Sequence, residues 1–180
     1  MKGSPRIGVT VGNGAALNIE LGFVPGYVAL YNCTDGDLIT EAFLQWVVPF
    51  SSGGTTEIEI GDKIIGATSG AEAIVESVLL YSGSWAGGDA AGFFVIQEGS
   101  LVGTFGSENV YVGSGTDDAT VTVNVVHNIA TAAAAAGATG NSAISRYEGV
   151  AGSNGKGFTI GSTIAEEAKL LRYIAYRNED

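Results

Sequence analysis

Apolar and polar residues alternate with a period of two along most of the chain, which is the pattern of strands that bury one face. Leu17, Ile19, Leu21 and Phe23 fall on one side of such a segment, with Asn18, Glu20 and Gly22 on the other. Tyr27 to Asn32 is a second candidate and ends at Thr34-Asp35-Gly36-Asp37, where Asp and Gly favour a turn. Phe43 to Phe50, Ile58 to Ile65, Ala71 to Tyr81, Phe93 to Glu98, Asn109 to Val112 and Ala119 to His127 continue the series. Each is bounded by Gly, Ser, Asp or Asn. Reversals are expected at Gly22, Gly36, Gly70, Gly83 and Gly106, where a positive φ angle is needed.

Helical signals are few. Ala132 to Ala136 has high helix propensity, but the run is too short to stand alone and ends at Gly137, so it reads as a small-residue connection. The tail fits two patterns. Ile164, Ala168, Leu171 and Ala175 share a helical face, whereas Leu170, Arg172, Ile174 and Tyr176 share a strand face. Spacing alone leaves both open.

Composition supports the β reading. The 180 residues are 46% hydrophobic and include 28 glycines without a Gly-X-Y period, as expected of many tight turns between short strands. Phe23, Trp46, Trp85, Phe93, Phe94, Phe105, Phe158 and Tyr173 are large enough to fill two small β cores.

Charge divides the chain more sharply than hydropathy. Residues 57–124 hold ten carboxylates (Glu57, Glu59, Asp62, Glu72, Glu76, Asp89, Glu98, Glu108, Asp117, Asp118) against Lys63 alone, so 1 − 10 = −9. Residues 1–56 carry −2, and residues 125–180 balance, which accounts for the net −11. An acidic middle between near-neutral flanks points to a separate module. With only 8 Lys and Arg in the chain, phosphate neutralisation is weak and a nucleic-acid partner is not expected. No apolar run approaches the ~20 residues of a membrane helix, and Lys2 is not followed by the apolar stretch of a secretory leader.

Candidate chemistry is sparse. The single Cys33 allows no intrachain disulfide, and Asn32-Cys33-Thr34 reads as a chance match to the glycosylation pattern. His127 has no second His or Cys at ligand spacing. Gly152 to Gly157 departs from a phosphate loop, because Lys156 is followed by Gly rather than Ser or Thr. Asp117-Asp118 and Asp35-Gly36-Asp37 lack the alternating oxygen ligands of a calcium loop and read as solvated turns. Nothing points to a carboxylate pair for glycoside cleavage. No catalytic residue, metal or cofactor is expected.

Two flanking segments share a resemblance. GNGAALNIELGFVPGYVALYNCTDGD (12–37) resembles the opening of a family of tailed-phage virion proteins, with a strand ending in Gly-Phe-x-Pro and an alternating strand closing on Asn before an acidic turn. GKGFTIGSTIAEEAKLLRYIAYRN (155–178) resembles the same family's ending, which favours a final strand. Between them, GDKIIGATSGAEAIVESV, SGSWAGGDAAGFFVIQEGS and VGTFGSENVYVGS (61–78, 82–100 and 102–114) are similar to a small β-module of phage structural and fibre proteins. Glu108 there stands close to that module's acidic position.

The resemblance implies an all-β protein: a β-sandwich base from residues 1–56 and 125–180, with a small β-barrel or β-sandwich module of residues 57–124 inserted. It implies a non-catalytic virion protein, foremost a capsid decoration (cement) protein on the outside of a phage head. Its partners would be the major capsid protein or another virion protein, and further copies of itself as a homotrimer. Synthesis would be in the bacterial cytoplasm. Lys2, Arg6 and Ile7 at the start of the chain are the expected interface residues. The alternative is a tail-fibre or receptor-binding protein of lectin type, in which Trp46 or Trp85 would stack on sugar rings.

Overall fold

A computed structural model of the protein describes residues 5–113, 118–121, 125–130 (backbone path), 143–150 and 155–178. The chain forms two compact units: residues 1–44 with 126–180, and residues 45–125. Among the described residues every regular element is a strand, so the fold is all-β.

The first unit is a sandwich of two sheets. One sheet runs β1 (Arg6–Val11), β13 (Leu170–Arg177), β3 (Pro25–Asn32) and the first part of β4 (Asp37–Gly53), all antiparallel. β10 (Val125–Ala130) also pairs β4. The second sheet runs β11 (Ile144–Tyr147), β12 (Gly157–Ile160) and β2 (Leu17–Glu20). Alternation decides what lies between them. Val28, Leu30, Ala42, Leu44, Leu171 and Ala175 from the first sheet and Ile144, Phe158 and Ile160 from the second are fully buried. Phe158 meets Tyr173 edge-on, with ring centroids 5.2 Å apart, and a buried Phe contributes about 1.5–3 kcal/mol. Arg146 reaches from β11 to the carbonyl of Leu44 at 2.5 Å and also pairs with Glu148 at 2.8 Å.

The ambiguous tail is a strand. Glu166-Glu167-Ala168-Lys169 forms a turn instead of a helix, in which Lys169 donates its N–H to Glu166 O and Ala168 to Gly12 O. Lys169 then pairs with Asp35 at 2.8 Å, and Leu170 N–H donates to Thr34 Oγ1, also at 2.8 Å. These contacts pin the start of β13 to the β3–β4 turn. The lysine ammonium beside Asp35 is the main reason that carboxyl sits below its usual range.

The second unit is a closed six-stranded barrel. The later half of β4 is followed around it by β7 (Ala90–Ile96), β6 (Glu72–Ser82), β5 (Lys63–Gly66), β8 (Glu108–Val112) and β9 (Ala119–Val121). Pairing of Phe50 with Val121 and Ser51 with Thr120 returns β9 to β4 and removes the free edges. Inside, Trp85, Phe50 and Phe94 lie nearly parallel, with centroids 5.4 and 4.1 Å apart. Ile58, Ile64, Val75, Ile96, Phe105 and Val110 close around them.

Several expectations shift in detail. The barrel unit begins at Gln45 rather than Glu57, because β4 continues into it through a stretch with no charge for a charge pattern to register. The strand expected over Ile58–Ile65 is present only from Lys63. Ahead of it, Asp62 accepts Glu59 N–H at 2.7 Å and Gly61 adopts φ 92°, which makes a turn. Gly22, Gly36, Gly70 and Gly83 have positive φ as expected; Gly106 does not. β1 is a strand in addition to those expected. The run Ala132–Ala136 lies outside the described residues.

Candidate functional site

The first unit's main sheet has an outer face over which no other strand packs among the described residues. Paired residues of antiparallel strands share a face, so the register reads out its rows directly. Ile7, Ile174, Ala29 and Glu41 form one row across β1, β13, β3 and β4. Val9, Arg172, Tyr31 and Leu38 form the next, and Val11 stands beside Leu170. Tyr176, Tyr27 and Phe43 make an aromatic row at the other end, with Tyr27 5.2 Å from Phe43 and 5.9 Å from Tyr176.

The face is unusually apolar for an exposed one. Ile7, Val9 and Val11 are 68%, 56% and 57% exposed, and Phe43 and Leu170 are exposed as well. An open depression of about 560 Å³ lies at its edge, lined by Ile7, Tyr31, Leu38, Arg172, Tyr173 and Ile174 and by Asn32, Cys33, Gly36 and Asp37 of the β3–β4 turn. Contiguous apolar surface of this kind is the mark of an interaction site. The polar groups on it are held in place. Tyr27 donates its hydroxyl to Glu41 at 2.8 Å. Burial, and then that hydrogen bond, push the Tyr27 pKa up to about 12. Past that face, at the end of β13, Arg177 lies 4.9 Å over the ring of Phe23.

Of the expected interface residues, Arg6 and Ile7 open β1 and are exposed. Arg6 belongs to a paired strand, opposite Ala175. Lys2 lies outside the described residues. The wider surface, Val9, Val11, Leu170, Ile174, Tyr31 and Phe43, was not singled out by sequence. The signal existed in Ile7-Gly8-Val9-Thr10-Val11, an alternating β-branched run between Pro5 and Gly12.

The other candidates resolve into structural roles. Trp85 is 6% exposed inside the barrel and is not available for stacking on a sugar. Trp46 is half-buried and packs against the same core. Asp118 is buried and accepts Val112 N–H at 3.0 Å; Asp117 lies outside the described residues. Asp35 accepts from Asn32 and Lys169 within its turn. Backbone alone is described for His127, and residues 151–154 of the glycine-rich loop lie outside the described residues. Among the described residues no group of three His, Cys, Asp or Glu side chains is arranged to hold a metal ion. No helix among them is long and apolar enough to cross a membrane.

One carboxylate has a demanding local task. Glu108, 7% exposed, accepts N–H bonds from Thr68 at 2.6 Å, Ser69 at 2.7 Å and Gly106 at 2.9 Å. It thereby holds the β5–β6 turn, where Gly70 has φ 67° and the missing side chain of Gly66 leaves room for the carboxylate. Burial opposes its ionisation, but these bonds and one from the Ser69 hydroxyl outweigh that and lower its pKa from 4.5 to about 2. The Thr-Ser-Gly and Gly-Ser-Glu signatures of the middle segment are thus two halves of one clasp.

The class defined by this geometry is a two-unit all-β protein with an exposed apolar sheet face on its first unit. Compared with family models, curated proteins and solved structures, the chain matches none.

Proposed function

We propose that the chain is a structural, non-catalytic protein of a tailed-phage particle, foremost a capsid decoration protein that seats the outer face of its sandwich unit on the major capsid protein or another virion protein. The observation that carries this reading is the exposed apolar face of Ile7, Val9, Val11, Phe43 and Leu170, with the half-buried Tyr31 and with Arg172 set among them. Desolvating such a face is favourable at about 25 cal/mol per Å². The distribution of charge supports the same division of labour. The barrel unit carries −9, whereas the sandwich unit has seven basic against nine acidic residues, giving −2. A near-neutral apolar surface is the cheaper one to bury against a partner, and a strongly acidic one favours solvent.

The fibre alternative is weakened because Trp85 is buried. The deciding experiment is quantitative mass spectrometry of purified particles of the phage that encodes the chain, followed by rebinding of purified protein to particles lacking it. Hundreds of copies per particle, and rebinding lost on Ile7→Glu at unchanged thermal stability, are expected. A few to tens of copies would favour a fibre. Absence from the particle would overturn the virion reading altogether.

A further inference from the structure

We propose that β1 is a self-complementary edge through which two copies of this chain join their sandwich sheets, antiparallel, about a two-fold axis at Val9. The proposal concerns the isolated protein and does not rest on the virion reading. β1 ends its sheet, and among the described residues β13 is its sole strand partner. Gly12 donates its N–H to Lys169 O and accepts from Ala168 N–H, both at 2.9 Å, so its polar groups face β13. These directions alternate along a strand. Thr10, Gly8 and Arg6 therefore bond towards β13, while Ile7, Val9 and Val11 aim their N–H and C=O groups at the free edge. The same three residues carry exposed apolar side chains. An unblocked edge of this kind is a template for another extended strand.

Register and charge identify that strand as a second β1. For the apolar faces to stay on one side across a two-fold axis, edge-facing residues must pair with edge-facing residues. Centring on Val9 sets Val9 against itself and Ile7 against Val11 of the second copy. Every edge-facing N–H and C=O of the three is then satisfied, and their side chains form one Ile/Val ladder. Slipping by two residues one way puts Pro5, which has no N–H, opposite Val11; slipping the other way sets Ile7 against Asn13, beyond the end of β1, so either alternative shortens the Ile/Val ladder.

In the Val9-centred register Arg6 stands opposite Gly12 of the second copy. The Glu166 backbone passes directly against Gly12, and Glu167 lies 3.8 Å from the position of a Gly14 Cβ. Both glutamates are exposed. The basic start of each strand thus meets the acidic turn of the other, twice per dimer. A six-residue edge covers less than the ~1,200 Å² of a tight interface, so the association is weak and concentration-dependent.

The test uses the full chain with Cys33→Ser, adding Val9→Cys or, as control, Thr10→Cys. Hydrogen-bonded antiparallel pairs hold Cα atoms about 5.5 Å apart, within disulfide reach. Mild oxidation should therefore trap the Val9→Cys protein as a covalent dimer and leave the Thr10→Cys protein monomeric. Val9→Pro removes only an edge-facing N–H, so β1–β13 pairing survives while dimerisation measured by sedimentation equilibrium should weaken roughly tenfold or more. Arg6→Glu should weaken it too, and Glu166→Arg with Glu167→Arg should restore it. A protein that stays monomeric up to about 1 mM, with no preference for crosslinking at Val9, overturns the proposal. So does a trimer indifferent to Val9→Pro.

Discussion

Replacing Glu108 by Gln tests whether a single ionised carboxylate clamps the barrel. Its pKa of about 2, against 4.5 for a free glutamate, corresponds to about 3 kcal/mol of preference for the charged form when folded. With part of the residue still touching water, solvent screening trims this to about 1–2 kcal/mol. The amide retains one carbonyl oxygen for Thr68 and Ser69, but its NH2 group confronts the N–H of Gly106. A loss of about 2 kcal/mol at pH 7 is expected. The pH dependence has a fixed sign. A depressed folded pKa gives stability that is present above 4.5 and lost as pH falls towards 2, so the gap between wild type and Glu108→Gln should close across that window. Both tryptophans, Trp46 and Trp85, lie in the barrel unit, so their fluorescence in a urea titration reports that unit. Gaps of equal size at pH 7 and pH 2.5 would show that charge is not what holds the turn. No loss at pH 7 would dismiss the clasp entirely.

Three further outcomes follow from single contacts. Tyr27 should ionise near pH 12 in an alkaline absorbance titration, and Tyr27→Phe should remove that step. Because its folded pKa is raised to about 12 from 10.0, its contribution is complete below pH 10 and disappears as pH rises through 12. Trp85 Nε1 is buried with no hydrogen-bond partner among the described residues, so Trp85→Phe should cost within about 1 kcal/mol in denaturant melts, against about 3–5 kcal/mol for Trp85→Ala. Arg146, whose side chain is 4% exposed, holds the Leu44 carbonyl and Glu148; Arg146→Ala should lower the sandwich unit's stability by about 2–3 kcal/mol, read by hydrogen exchange of β4 and β11 amides.

Strands were the most legible part of this sequence, because half-buried strands write their geometry into a period of two. Tyr27–Asn32 and the closing Leu170–Arg177 show this directly. Ile58–Ile65 misled because Ile58, Ile60 and Ile64 keep the period of two across Asp62, whose carboxylate and N–H both bond Glu59 and close a turn. The unit boundary was illegible to charge counting because residues 42–56 carry none. The outer face was hidden for a different reason. A strand with one exposed apolar side and Gly8 and Thr10 on the other looks like a half-buried strand read from the wrong side. Only the register shows that the Tyr173 ring fills the place of a Gly8 side chain, making Gly8 the inward residue and leaving Ile7, Val9 and Val11 outside.

That inversion bears on what the surface is for. Had β1 only to close the sandwich, large side chains at Gly8 and Thr10 and polar ones at 7, 9 and 11 would bury more and expose less. The chain does the opposite: Tyr173 covers the inner side of β1, and the β-branched side chains face out. An exposed apolar edge strand is an aggregation hazard that soluble proteins ordinarily blunt with Lys, Pro or a bulge. Here Pro5 and Arg6 mark one end, and the acidic turn Glu166-Glu167 lies near the other. Blunting at the ends alone does not block pairing; it restricts pairing to one register. Joining two such edges would also fuse two outer faces into one apolar sheet surface with Arg172 of each copy near its middle. The weak edge contact and the broader face contact would then reinforce each other: a partner that binds the fused face gains from two copies at once, and its presence raises their effective concentration.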